Sequence, residues 1–78
     1  MAGQYSLADL PVGSIGMIIE VQAAGNTKRR LLDLGFVPDT VVKVLRRSPT
    51  GDPVAYQLRG AVIALRKENS RDILVRPL

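Results

Sequence analysis

The sequence contains no cysteine, no histidine and no tryptophan among its 78 residues. Without cysteine there is no disulfide framework, no thiolate zinc site and no catalytic thiol. Without histidine the commonest general base and the commonest transition-metal ligand are also missing. Aromatic residues make up only 4% of the chain, namely Tyr5, Phe36 and Tyr56, too few for the stacking platforms that single-strand nucleic-acid binders use. Long apolar runs are lacking as well; a stretch such as Met17-Ile18-Ile19 falls far short of the roughly 20 residues a membrane span needs. The first six residues carry no basic region followed by an apolar one, so they do not read as a signal peptide. These absences point to a non-enzymatic, cytoplasmic protein without a bound cofactor or metal.

What remains is ordinary globular material, with 46% hydrophobic and 23% charged residues. A chain of this length builds one core and one domain, here taken as 1–78, and buries only about 60% of its unfolded surface. Eleven Lys and Arg against seven Asp and Glu leave a net charge of +4.

Local patterns predict a mainly β domain. Ser6 caps a short turn over 7–10 that Pro11 stops. Residues 15–21 alternate, with Ile15, Met17, Ile19 and Val21 on one face of a strand, and Gly16 marks a bend or a close backbone approach. Residues 25–35 predict a two-turn helix with Asn26 or Thr27 as N-cap, Gly35 as left-handed C-cap, and Leu31, Leu32 and Leu34 toward the core. Arg29 and Asp33 form a weak i, i+4 pair.

A second strand over 41–47 places Val42 and Val44 on one face. Turn chemistry fills 48–53. Val54, Tyr56 and Leu58 then mark the cleanest half-buried strand, Gly60-Ala61 makes a two-residue link of the Gly-first type, and 62–66 returns. Residues 67–70 read as a polar turn, and 71–76 as the last strand with Ile73 and Val75 inward. About five short strands with one inserted helix are expected to curl into a small barrel.

Few residues carry recognisable chemistry. Gly13-Ser14-Ile15-Gly16 precedes a strand rather than a helix, and no Gly-Lys-Ser/Thr occurs, so the phosphate cradle of an NTPase is excluded. The carboxylates Asp9, Glu20, Asp33, Asp39, Asp52, Glu68 and Asp72 are scattered, with no spacing that gathers them round a hard cation. The basic residues Arg29, Arg30, Arg46, Arg47, Arg59, Arg66 and Lys67 suit a solvated face, an acidic protein partner or nucleic acid. A helix-turn-helix over 27–47 is disfavoured because its second helix would be too β-branched. Phe36 either plugs the end of the barrel or, if partly exposed beside the arginines, anchors a partner.

The run Arg30-Leu31-Leu32-Asp33-Leu34-Gly35-Phe36-Val37-Pro38 resembles the R-L-x-D/E-L-G-hydrophobic-x-P-G signature of the FeoA family. Leu10-Pro11-Val12-Gly13, Ser48-Pro49-Thr50-Gly51-Asp52-Pro53, Arg59-Gly60, Ile63-Ala64-Leu65-Arg66 and Ile73-Leu74-Val75 extend the resemblance from about Leu7 to Val75. It departs at Asp39, where the family usually has Gly, and at Asn69-Ser70 in place of an acidic-Ala pair.

The resemblance implies an SH3-like β-barrel with a small helix beside it. It also implies an accessory role with FeoB, a membrane ferrous-iron transporter carrying a cytoplasmic G domain. On that reading the chain is a protein-binding module of ferrous-iron uptake, peripheral to the membrane only through FeoB. Its contact surface is Arg29, Arg30, Leu34, Gly35 and Phe36 with Pro49 and Asp52 of the 48–53 loop. The alternative is a nucleic-acid-binding or regulatory module related to the C-terminal SH3-like domain of iron-dependent repressors, although no nucleic acid is expected as partner. An iron carrier ranks last, since tight ferrous binding is hard to build without His or Cys. Exposed strand edges leave self-association open.

Overall fold

The computed structural model describes residues 5–78; the expectation that the N-terminus is no signal peptide rests largely on residues 1–4, outside that range. Six strands form one antiparallel sheet: β1 (Tyr5–Ser6), β2 (Ile15–Val21), β3 (Val41–Arg47), β4 (Val54–Leu58), β5 (Ala61–Leu65) and β6 (Ile73–Pro77). A 3₁₀ turn (Leu7–Asp9) follows β1, helix α1 (Gly25–Asp33) lies between β2 and β3, and a single-turn helix α2 (Lys67–Ser70) precedes β6. The sheet order is β1-β6-β2-β3-β4-β5.

The mainly β class with one inserted helix matches the sequence reading, and the closure differs. β1 and β5 end the sheet as separate edges, so the barrel is not closed. The strand not foreseen is β1, whose two residues pair with Val75 and Leu74 of β6. Bulges bend the sheet where β2 shifts register between Ile18 and Glu20 and where β3 shifts between Val44 and Arg46. Such bulges increase local twist and curl the strand, and the molecule measures 30 × 29 × 23 Å, nearly as thick as it is wide.

The inner face is built from cross-strand pairs: Ile18 opposite Val75, Val21 opposite Ile73, Val44 opposite Tyr56 and Val54 opposite Leu65. All eight side chains are buried, and Leu7, Leu10, Leu31 and Phe36 close the core. The expected inward faces of β3, β4 and β6 are the observed ones.

In β2 the expected face is wrong for three of its four residues. Gly16, Ile18 and Val21 turn inward, whereas Ile15 is exposed and Met17 and Ile19 are half-buried. Two causes act together. Leu10 packs over Gly16 so closely that a Cβ there would lie 3.0 Å from its Cδ1, which is the close approach expected of this glycine. The bulge then adds one residue between Ile18 and Val21, so both face the core despite their odd spacing.

Three boundaries also move. The two-residue turn between β4 and β5 is Arg59-Gly60, not Gly60-Ala61: Leu58 pairs with Ala61, and φ is +51° at Arg59 and +80° at Gly60, the doubly left-handed form whose twist suits a tight hairpin. Helix α1 begins at Gly25 after the extended Ala24, which places Asn26 and Thr27 inside its first turn rather than at the cap. The polar turn over 67–70 is helical.

Candidate surface at the end of helix α1

Helix α1 docks by Leu31, which is fully buried, and by half-buried Leu32. Its C-terminus is closed by two backbone bonds. Gly35 N–H donates to Leu32 O at 3.0 Å and Phe36 N–H to Leu31 O at 3.1 Å. This is the Schellman arrangement, and Gly35 takes the positive φ it requires, at +112°. The apolar contact that accompanies such a cap is supplied by two core residues, Leu31 and Phe36. Phe36 has no exposed surface and meets Tyr56 edge-on, with ring centroids 6.4 Å apart and planes at 89°. Of the two roles considered for Phe36, plug and anchor, the structure places it as the plug. Its ring adds no exposed area to this end of the fold.

Outside this cap the surface is basic. Lys28, Arg29 and Arg30 are exposed on α1, and Leu34 exposes 40% of its surface beside them. Two shallow hollows of about 420 and 360 Å³ flank the helix, and Arg29 and Asp33 border both. Among the described residues the one ion pair within 4.0 Å is Arg66–Asp52, so the expected Arg29–Asp33 pair is not formed and the α1 arginines are uncommitted.

A residue of β4's hairpin joins this end of the fold. A methyl on Gly35 would lie 3.5 Å from Leu58 Cδ1, which places the Arg59-Gly60 turn next to the cap. Arg59 Nη2 donates to Thr40 Oγ1 at 3.2 Å, with Thr40 itself buried. Arg59 thus extends the basic surface of Arg29 and Arg30. Arg59 is absent from the contact surface expected from the sequence; the usable signal for it is Arg-Gly at a tight hairpin.

Pro49 and Asp52 lie elsewhere. Their loop leaves the far end of β3 from α1, and seven residues of strand separate the two ends by roughly 20 Å. Asp52 pins the loop to α2: Oδ1 accepts Lys67 N–H at 2.8 Å and Oδ2 lies 3.9 Å from Arg66 Nη1. Within the loop Thr50 Oγ1 donates to Asp52 O at 3.0 Å, and Ser48 N–H donates to Pro53 O at 3.1 Å. The seven sequence-selected residues therefore split into an exposed α1 group, the buried Phe36 and a braced loop on another side.

Next to that loop a concave site of about 270 Å³ is lined by Arg47, Tyr56, Lys67 and Ser70. Burial pushes the Tyr56 phenol above its ordinary range, against lowering influences from the Ser70 hydroxyl and Arg47, so it stays protonated at neutral pH. Asp39, where the resembling family has Gly, adopts the left-handed φ of +71° that Asp tolerates better than most residues. Its N–H donates to Ile18 O at 2.7 Å, which ties this turn to β2. No three carboxylates converge into a metal-binding group among the described residues, and no helix there is long and apolar enough to cross a membrane.

Comparison with known proteins gives consistent results. The FeoA domain model matches residues 5–77. A Fe(2+) transport protein A/Fe(2+) transporter FeoB fusion protein of Porphyromonas gingivalis is 32% identical over 69 residues, covering 88% of this chain. The chain spans only 8% of that relative's length. The NMR structure of a FeoA-like protein from Clostridium acetobutylicum superposes with a TM-score of 0.90 at 32% identity, covering 100% of this chain and 91% of that one. The crystal structure of Stenotrophomonas maltophilia FeoA complexed with zinc, described as a procaryotic SH3 domain protein, gives 0.80 at 28% identity over 90% and 87% of the two chains. A manganese-dependent transcriptional repressor superposes at 0.88 over 38% of its length, but at 20% identity that likeness shows the fold alone.

Proposed function

Because this chain belongs to the FeoA domain family, we propose that it is a non-enzymatic accessory protein of ferrous-iron uptake that docks on the cytoplasmic G domain of FeoB. The observation that carries this reading is the Porphyromonas gingivalis relative, in which an Fe(2+) transport protein A and FeoB share one chain. Covalent linkage raises the effective concentration of one domain beside the other, and two domains that act together gain most from it. A separate chain reaches the same complex through affinity alone, which requires an exposed recognition surface.

The end of α1 offers that surface. Arg29 and Arg30 supply uncommitted guanidinium groups for acidic groups of the partner, and Arg59 adds a third, held in place by its bond to Thr40; Arg is favoured at interfaces because its planar fork binds carboxylates with two parallel bonds. Leu34 adds apolar area beside them, while Gly35 and Phe36 hold the loop that presents it. The braced loop of Pro49 and Asp52 forms a separate surface.

The test is the double variant Arg29→Glu/Arg30→Glu. Both side chains are exposed, so the unfolding midpoint should stay unchanged. Affinity for the G domain should fall by at least about tenfold, a loss of roughly 1.4 kcal/mol, with a weaker salt dependence. Isothermal titration at two salt concentrations reads both. Unchanged affinity would reject this surface.

A further inference from the structure

β5 is the outer strand at one end of the open sheet, and it reads Ala61-Val62-Ile63-Ala64-Leu65. Leu58 and Ala61 close a two-residue hairpin, so Ala61, Ile63 and Leu65 are the residues that bond to β4. Val62 and Ala64 therefore turn their N–H and C=O groups away from the sheet, and among the described residues no strand pairs with them. Natural edges are commonly blunted by Lys, Pro or a bulge. β5 has none of these within its five residues, and Val62 exposes 56% of its surface.

The surroundings of this edge are basic. Arg59 precedes β5, and Arg66 and Lys67 follow it, all exposed. On the outer face Arg46, Ala55 and Ala64 form a cross-strand row. Two of the three are alanines, so the row is a hollow, about 380 Å³ in volume, walled by Arg46, Arg47, Pro49 and Pro53. The next position along it is the residue that an added strand would set opposite Ala64. Three strand spacings separate that position from Arg46, about 14 Å, a distance that an extended Arg and an extended Glu side chain span together.

The geometry points to β5 as the acceptor edge for an extended acidic segment of a partner protein, which adds a further strand and places Glu opposite Ala64, reaching toward Arg46. Main-chain bonds to Val62 and Ala64 supply affinity, and the outer-face hollow supplies the side-chain preference. A second copy of this chain fits poorly. Antiparallel pairing of two β5 strands through Val62 and Ala64 brings the Arg59 end of each strand toward the Arg66 and Lys67 end of the other, so cations gather at both ends of the pair and repel. The inference rests on the reading of the chain as a protein-binding module, but it concerns a different surface from the α1 arginines.

The experiment uses the full-length ¹⁵N-labelled chain and a synthetic, end-blocked nonapeptide of alternating Val and Thr with a central Glu and an Asp at each end. With saturating peptide, hydrogen exchange at the Val62 and Ala64 amides should slow at least tenfold, while Ala61, Ile63 and Leu65, already bonded to β4, change little. Val62→Pro removes an N–H that β4 does not use, and Ala64→Glu puts a like charge in the hollow; each should weaken binding at least tenfold with the folded spectrum retained. A peptide with Lys for its central Glu should bind at least tenfold more weakly. Arg29→Glu/Arg30→Glu should bind the peptide as the wild type does, so failure here and failure of G-domain docking are read separately. No binding at millimolar peptide, binding without slowed exchange at Val62 and Ala64, or equal binding of the Lys peptide would overturn the inference. Protection of these two amides that rises with protein concentration in the absence of peptide would assign the edge to a second copy and overturn it as well.

Discussion

Phe36→Ala is expected to lose about 3–5 kcal/mol of unfolding free energy. The ring has no exposed surface, packs edge-on against Tyr56 and sits directly behind the α1 cap. Truncation removes that contact and leaves a cavity between the α1 cap and Tyr56 of β4, at the point where the apolar half of the cap is made. Domains of this size have roughly 4–12 kcal/mol in total, so the variant sits near the edge of folding at room temperature. Urea unfolding followed by circular dichroism measures the loss. An anchor residue behaves differently, because its truncation leaves the isolated domain as stable as before and weakens only the complex. A stability change below about 1 kcal/mol would mean that Phe36 is not the core plug this structure makes it.

The second large effect is expected at Gly35, with φ of +112°. A β-branched residue is a genuine outlier there, and the strain of such positions is of order 1–3 kcal/mol. Gly35→Ala isolates the backbone share, since its Cβ meets Leu58 at an ordinary contact distance of 3.5 Å. Gly35→Val adds crowding against Leu58 and is expected to cost about 2–4 kcal/mol altogether. Paired denaturation curves separate the two shares, and equal midpoints for wild type and Gly35→Ala would contradict the cap described here. Both variants should also shift Leu34, because the same cap directs the loop that carries it.

Much of this molecule is legible from its residues. The inward faces of β3, β4 and β6 follow directly from Val42 and Val44, from Val54, Tyr56 and Leu58, and from Ile73 and Val75, since a regular strand alternates without fail. The α1 C-cap is equally readable, because glycine after Leu31, Leu32 and Leu34 is what the left-handed closure needs. β2 resisted for a definite reason. Its bulge depends on the register against β6, a partner more than 50 residues away in sequence, and no local pattern encodes that shift. Barrel closure was hidden in the same way, since it depends on whether the two edge strands meet.

The candidate surface was half legible. Arg29, Arg30 and Leu34 share α1 and its end because helix geometry places them there. Pro49 and Asp52 were grouped with them on chemistry alone, and the length of β3 keeps them apart. Arg59 was separated in sequence yet arrives at the surface through a hairpin turn that brings Leu58 against Gly35. Long-range assembly of this kind is fixed by strand pairing, and composition does not report it.

The docking reading is tested most directly by titrating the purified chain against the cytoplasmic G domain of the FeoB from the same organism, at two salt concentrations, with duplex DNA as a parallel ligand. The account predicts saturable binding to the G domain that weakens as salt rises, is reduced at least about tenfold by Arg29→Glu/Arg30→Glu, and has no counterpart with DNA. Salt-sensitive binding to DNA with none to the G domain would contradict it, and would move the basic surface of this domain to nucleic acid.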